Sequence, residues 1–149
     1  MPSRPATTAD VLQIAAIANA AYDIYVARIG KQPAPMIADF ATHVINQEIF
    51  VDDAIDGLAG FIVLFPKDGR LFIENVAVSP ERQGQGNGRR LFAFADAEAQ
   101  RYEFDRLFLY TNIHMTENLD FYPKLGYLET HRVHEDGFHR IYFEKRLTP

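Results

Sequence analysis

The sequence predicts one α/β domain (α+β in its arrangement), with a central mixed, mostly antiparallel sheet of about seven strands flanked by about four helices. Three observations predict it. Short apolar runs alternate with Asp-Gly turn signals, the mark of hairpins. Other stretches repeat apolar residues at helical spacing. Between one such strand and one such helix lies Gln83-Gly84-Gln85-Gly86-Asn87-Gly88, a glycine-rich turn.

Arg4 to Ala6 suits a short first strand. Thr7 and Asp10 make a capping-box start to a helix, and Val11, Ile14, Ala18, Ala21 and Tyr25 share one face of it. Gly30 ends that helix and Gln32 to Pro35 is a loop. A second helix over about Met36 to Asn46 turns Met36, Phe40 and Val44 inward. Strands follow at Ile49 to Asp52, Leu58 to Leu64 and Leu71 to Val78, joined by Asp56-Gly57 and Lys67-Asp68-Gly69. The helix after the glycine turn, Arg89 to Tyr102, buries Leu91, Ala95, Ala99 and Tyr102. Leu107 to Thr111 is a strand parallel to Leu71 to Val78 through a right-handed crossover. A short helix over Thr116 to Lys124 stops at Gly126. Tyr127 to Val133 and Phe138 to Lys145 close the chain as a hairpin around Glu135-Asp136-Gly137. The order βααβββαβαββ over residues 1–149 makes a single domain with helices on both faces of its sheet.

At 149 residues the chain is long enough to bury a core without covalent staples. Cysteine is absent, so disulfides, thiol nucleophiles and zinc-thiolate sites are excluded. The apolar runs are too short to span a bilayer and the N-terminus lacks a signal-peptide pattern, so a cytoplasmic protein is expected. The net charge of −5, without a basic cluster outside the glycine turn, argues against nucleic acid and suits an amine substrate. The five histidines form no metal pattern: His131 and His134 are three apart in a strand and face opposite ways. Ser79 precedes Pro80 and lacks a nucleophile elbow.

A glycine-rich turn lets backbone N–H groups approach an anion, and the helix N-terminus behind it favours negative charge. The anion is most simply a cofactor phosphate. The turn is not a Rossmann fingerprint, because its glycines alternate and Leu107 to Thr111 ends in Asn112 rather than an acidic residue. It is not a P-loop, because Arg89 and Arg90 stand where Lys and Ser/Thr belong. Alone, the motif equally suits a tightly packed loop.

Two further segments narrow the reading. Val76-Ala77-Val78-Ser79-Pro80 precedes the turn, and Asn118-Leu119-Asp120-Phe121-Tyr122-Pro123-Lys124-Leu125-Gly126-Tyr127 follows the next strand. Together they resemble the GNAT superfamily of N-acetyltransferases. Gln83, Gly86 and Gly88 match its Gln/Arg-x-x-Gly-x-Gly/Ala signature, while Asn118, Tyr122 and Gly126-Tyr127 match its later one. The resemblance implies a GNAT-like fold, acetyl-CoA (coenzyme A) as acyl donor, no metal, and compatibility with a homodimer. It implies a cofactor site made of Val76, Ala77, Val78, Gln83, Gly84, Gln85, Gly86, Asn87, Gly88, Arg89, Asn118 and Tyr122. The pyrophosphate would rest on N–H groups of Gln85 to Arg89. The pantetheine arm would pair with Val76 to Val78 in a gap opened between Leu71 to Val78 and Leu107 to Thr111. Family sheets commonly open that gap with a bulge, which the sequence does not reveal.

The implied reaction is N-acetylation of a primary amine, of a small molecule in the first instance, by direct attack in a ternary complex. An alkylamine with a pKa of about 10.4 must lose a proton before it attacks. Tyr122 matches the family tyrosine that faces the thiol and is the candidate acid; the alternative is core packing. Glu74 interrupts an apolar strand and is the candidate base; the alternatives are a salt bridge, for example to Arg106, or a water chain in its place. Asn75 and Asn112 line the expected cleft or satisfy nearby loops. Asn118 contacts the cofactor or holds the local turn; the alternative is that it caps its helix. Tyr22, Tyr25 and Arg28 lie where this family builds its acceptor wall, although Tyr25 also belongs to the buried stripe. Arg132, His139 and Arg140 either read an acceptor carboxylate or form surface ion pairs, the latter preferred. The rival readings are a non-catalytic acyl-CoA-binding module, a protein-interaction domain on the same scaffold, and a nucleotide-binding protein.

Overall fold

In a computed structural model of the chain, residues 3–148 are described. Met1, Pro2 and Pro149 of the expected domain lie outside them. The strands are β1 (Arg4–Pro5), β2 (Ile49–Ala54), β3 (Gly57–Lys67), β4 (Arg70–Val78), β5 (Arg106–Asn112), β6 (Leu128–Glu135) and β7 (Phe138–Arg146). The α-helices are α1 (Val11–Ile29), α2 (Phe40–Ile45), α3 (Asn87–Arg101) and α4 (Thr116–Lys124). The seven strands form one sheet in the order β1-β2-β3-β4-β5-β7-β6, antiparallel except for the β4–β5 pair. The element order and the parallel crossover agree with the sequence reading.

Each sheet face carries its own core, as alternating strands dictate. Val51, Phe61, Val63 and Ala77 pack under α1 and α2 with Ile14, Ala18 and Phe40. Ile62, Leu64, Leu71, Ile73, Leu107 and Leu109 pack under α3 with Leu91, Ala95 and Ala99, and α4 adds Leu119, Phe121 and Tyr122.

Three local expectations are corrected. The single second helix is a 3-10 turn, Ala34–Ile37, followed by the six-residue α2, because Asp39 caps a new helix start through Thr42. Tyr102 is 40% exposed and stacks on Phe104 where the helix runs out past the sheet. On α1 the buried stripe is Ile14, Ile17, Ala18, Tyr22 and Tyr25, while Val11 and Ala21 are half-buried.

Two features open the sheet. The β4–β5 ladder pairs Leu71, Phe72 and Ile73 with Leu107, Phe108 and Leu109 and ends there. At the same level β4 bulges: Val63 pairs with Asn75 and Leu64 with Ile73, leaving Glu74 as the extra residue. The bulge reverses the strand's alternation. Leu71 and Ile73 before it, and Val76 and Val78 after it, all reach the α3 face. Beyond Ile73 the strands are no longer paired, and the gap between them is the candidate functional site.

Candidate active site

Two connected cavities occupy this gap. One, about 390 Å³, runs beside Val76, Ala77, Val78, Gln83 and Gly88 toward α3. The other penetrates between β4 and β5, past Ile73, Glu74, Asn75, Tyr110 and Thr111 to Phe138 and Arg140. Tyr22, Val76, Asn118 and Tyr122 line both.

At the outer cavity the glycine turn opens α3 as expected. Gly84 and Gly86 both have φ of 85°, a left-handed backbone that suits glycine, and Gly86 is the N-cap of α3. Of the residues expected to hold a cofactor, Val76, Ala77, Val78, Gln83, Gly88, Asn118 and Tyr122 line this cavity. Gln85 and Asn87 line a separate hollow with Asp52, Arg82 and Arg90. The Asn87 side chain is tied to Arg82 O and to Arg90. The Arg89 guanidinium lies over the Phe121 ring at 5.7 Å.

The carbonyls expected to meet a pantetheine arm already have partners. Val76 O accepts from the Tyr22 hydroxyl at 2.9 Å, and Val78 O accepts from Gln83 Nε2 at 3.3 Å. A carbonyl has a second lone pair. Residues 76 and 78 share a strand edge, so their N–H groups lie on the same open side.

Tyr122 stands at the junction of the cavities, its ring held edge-on by Phe92 and Phe143 and flanked by Tyr127. Burial, and secondarily the neighbouring Tyr25, push its hydroxyl above the usual tyrosine pKa. The hydroxyl therefore holds its proton more tightly than an exposed tyrosine does. Asn118 Nδ2 donates to Thr111 Oγ1 at 3.1 Å. Met115, not Asn118, is the helix N-cap, so the capping alternative is overturned.

The bulge turns two consecutive side chains toward the α1–α2 layer. Asn75 accepts from the Tyr22 hydroxyl at 2.8 Å and donates to Pro35 O at 2.9 Å, so it both lines the cavity and holds the loop after α1. Glu74 lies 3.2 Å from His43 Nε2, and His43 Nδ1 lies 2.9 Å from Glu48. Its partner is thus His43; Arg106 pairs instead with Asp105 and Glu144. The bond to Glu74, reinforced by Glu48 and opposed by partial burial, raises the His43 pKa from 6.5 to about 9. Sequence reasoning did not single out His43, which is 31 residues from Glu74 and joins it only through the fold.

The remaining expectations divide. Tyr22 is buried and lines both cavities. Tyr25 packs in the core while its hydroxyl reaches Glu117 at 3.5 Å, and Arg28 bridges α1 to α4 through Glu117 at 2.7 Å. Arg28 holds the Glu117 carboxyl down at about 2. Asn112 lines the inner cavity, but its Oδ1 accepts from His114 N at 2.9 Å, the turn-forming role. Arg132 is an exposed partner of Glu129. Arg140 is not a surface residue: it is 5% exposed and lines the inner cavity. Tyr110 and Phe138, which the sequence did not mark, also line it. Lys31 Nζ donates to Gly137 O at 2.6 Å and lies 4.3 Å from the Phe138 ring centroid, tying the loop after α1 to the β6–β7 turn. Among the described residues, no cluster of three or more metal-ligating side chains occurs and no helix is long and apolar enough to cross a membrane.

Residues 14–127 match the model of the acetyltransferase (GNAT) family. No curated protein matches the sequence. Among solved structures, nourseothricin acetyltransferase is 25% identical over 67% of this chain, with a TM-score of 0.61. The chain spans 65% of that protein's length, just under two thirds. The PaiA N-acetyltransferase of Thermoplasma acidophilum, in complex with coenzyme A, is 15% identical over 97% of both chains, with a TM-score of 0.77. Ribosomal-protein-alanine N-acetyltransferase of Brucella melitensis is 17% identical, covers 99% of this chain and 100% of its own, and has a TM-score of 0.77. At these lower identities the last two share the fold.

Proposed function

The chain belongs to the GNAT acetyltransferase family, and from that premise we propose that it moves the acetyl group of acetyl-CoA to the primary amine of a small molecule. The reaction is direct attack in a ternary complex. The observation that carries this reading is the pair of cavities meeting at Tyr122: one leads to the glycine turn, the other to Glu74. A donor and an acceptor bound in the two would face each other there.

The glycine turn suits a phosphate-bearing donor. Gly84 and Gly86 leave their backbone unobstructed by Cβ atoms, and α3 directs its N-terminus at the same place. Gln83, Gly88 and the open edge of Val76 and Val78 would hold the rest of coenzyme A, with Asn118 beside the thiol end. Bound acetyl-CoA supplies the acyl group and a thiolate leaving group of pKa about 8.5.

Tyr122, at the junction of the two cavities, would serve as the proton donor to that thiolate. Glu74 lines the acceptor cavity and would accept the proton that an ammonium must lose. His43 behind it is cationic at neutral pH and fixes its rotamer. Lys31 and Gly137 tie together the two segments whose Pro33 and Phe138 line the acceptor cavity, which suits a small acceptor better than a long peptide.

The test is calorimetric titration of the purified protein with acetyl-CoA, with ATP and NAD as controls, followed by thiol release in the presence of amines. Selective acetyl-CoA binding with amine-dependent thiol release is expected. Binding without turnover would favour the acyl-CoA-binding module, and no binding by folded protein would sink the cofactor site.

A further inference from the structure

Arg140 sits in β7 between two strands, paired with Asn112 of β5 and Val133 of β6. An arginine so central in a sheet, and 5% exposed, needs partners for its five N–H groups. Nη1 donates to Glu135 Oε1 at 3.3 Å and to Asp136 Oδ2 at 2.9 Å. Among the described residues, Nε and Nη2 make no hydrogen bond, although the guanidinium is held in place. Its faces are covered, with Tyr110 at 4.2 Å and Phe138 at 5.4 Å from ring centroid to Cζ.

The side-chain polar atoms sealed from solvent without a partner belong to Asp52, Asp96 and Tyr127. The free nitrogens of Arg140 are not among them, so they open on space. Arg140 lines the acceptor cavity, the space available to those nitrogens. With its faces against rings and Nη1 engaged, the guanidinium has its Nε–Nη2 edge left to offer. Two parallel N–H groups on one edge match the two oxygens of a carboxylate.

The other charged residue in the cavity lining is Glu74. Tyr110 lies within the electrostatic reach of both charges. A cavity with one anionic and one cationic wall complements a zwitterion. We infer that the acceptor is an amino carboxylate: its ammonium meets Glu74 and its carboxylate binds Arg140. This deepens the acetyltransferase reading and rests on it. Bracing the β6–β7 turn occupies Nη1 alone and leaves Nε and Nη2 for another partner.

The experiment measures thiol release from acetyl-CoA with free amino acids of graded amine-to-carboxylate spacing. Each is set beside its carboxamide and its decarboxylated amine. At least one acid should exceed both analogues by about tenfold or more in kcat/KM, because a buried guanidinium left unpaired penalises the analogue. Arg140→Gln should bring that ratio to near one, mainly through KM, and Arg140→Lys should restore part of it. Turnover of carboxamides and plain amines equal to that of the acids would overturn the inference and leave the acetyltransferase reading intact. No thiol release from any amine, with acetyl-CoA bound, would instead overturn that reading and this inference with it. The acid-to-amide comparison uses the wild-type protein, so the result does not depend on an Arg140 variant folding.

Discussion

The carboxylate of Glu74 lies 3.2 Å from Nε2 of His43, and the other ring nitrogen of His43 lies 2.9 Å from Glu48. The histidine, from α2, is thereby a cation clamped between two anions, with Asp39 of the α2 cap also nearby. Its folded-state pKa, about 9, exceeds its ordinary value of 6.5. A raised pKa stabilises the fold fully below pH 6.5, and that contribution is lost as the pH climbs through about 9. Melting temperature should therefore fall across this window in the wild type and fall less in His43→Gln. Parallel pH profiles for the two proteins would remove the clamp from the account.

Glu74→Gln keeps the shape of the bulge and removes the proton acceptor. The rise of kcat with pH should flatten, while acetyl-CoA affinity measured by calorimetry stays within about threefold, since Glu74 lines only the inner cavity. A pH–rate profile matching the wild type would assign the base role elsewhere.

Tyr122→Phe deletes one hydroxyl and leaves the ring in its contacts with Phe92 and Phe143. Turnover should drop by about 10²-fold, the scale of a lost acid, with little change in acetyl-CoA affinity. Steady-state kinetics set beside calorimetry check this; equal turnover would remove Tyr122 from the mechanism.

Gly86→Glu forces a side chain into a φ of 85° at the α3 N-cap and adds negative charge there. Acetyl-CoA binding should become undetectable by calorimetry while the circular dichroism spectrum stays folded. Wild-type affinity would place the pyrophosphate away from this turn.

Tyr22→Phe removes a buried hydroxyl whose single proton is shared between Asn75 Oδ1 and Val76 O. Stability in urea should fall by about 1–2 kcal/mol, because the Asn75 carbonyl oxygen loses its donor. Acetyl-CoA affinity should hold or rise, since Val76 O loses a competing partner. A weakened affinity would show that the hydroxyl itself belongs to the cofactor site.

What the sequence disclosed and what it hid follow from the range of the forces involved. Gly30, Gly86 and Gly126 mark turns of positive φ that are fixed locally, and the strands and helices around them were legible for that reason. The pairing of the β4 and β5 strands was legible from the crossover between them. The placement of Glu74 was not. Alternation along Leu71 to Val78 breaks at Glu74-Asn75, and residue types alone do not distinguish a bulge from a strand apolar on both faces. Its partner His43 is remote in sequence, so no spacing rule joins them. Arg140 was misread for a related reason. Its neighbours Glu135 and Asp136 suggest a surface ion pair, and only the sheet order, which sets β7 between β5 and β6, buries it.

The bulge also has a meaning for how such a site arises. Without Glu74, the run Leu71, Phe72, Ile73, Asn75, Val76, Ala77, Val78 alternates without interruption, and every apolar residue keeps the face it has now. The alternation of the strand does not depend on that residue, whose tie to His43 adds to the fold from outside the ladder. A single inserted codon in an unbroken strand would both part the sheet and deliver a carboxylate to the opening, two changes that would otherwise have to be acquired separately.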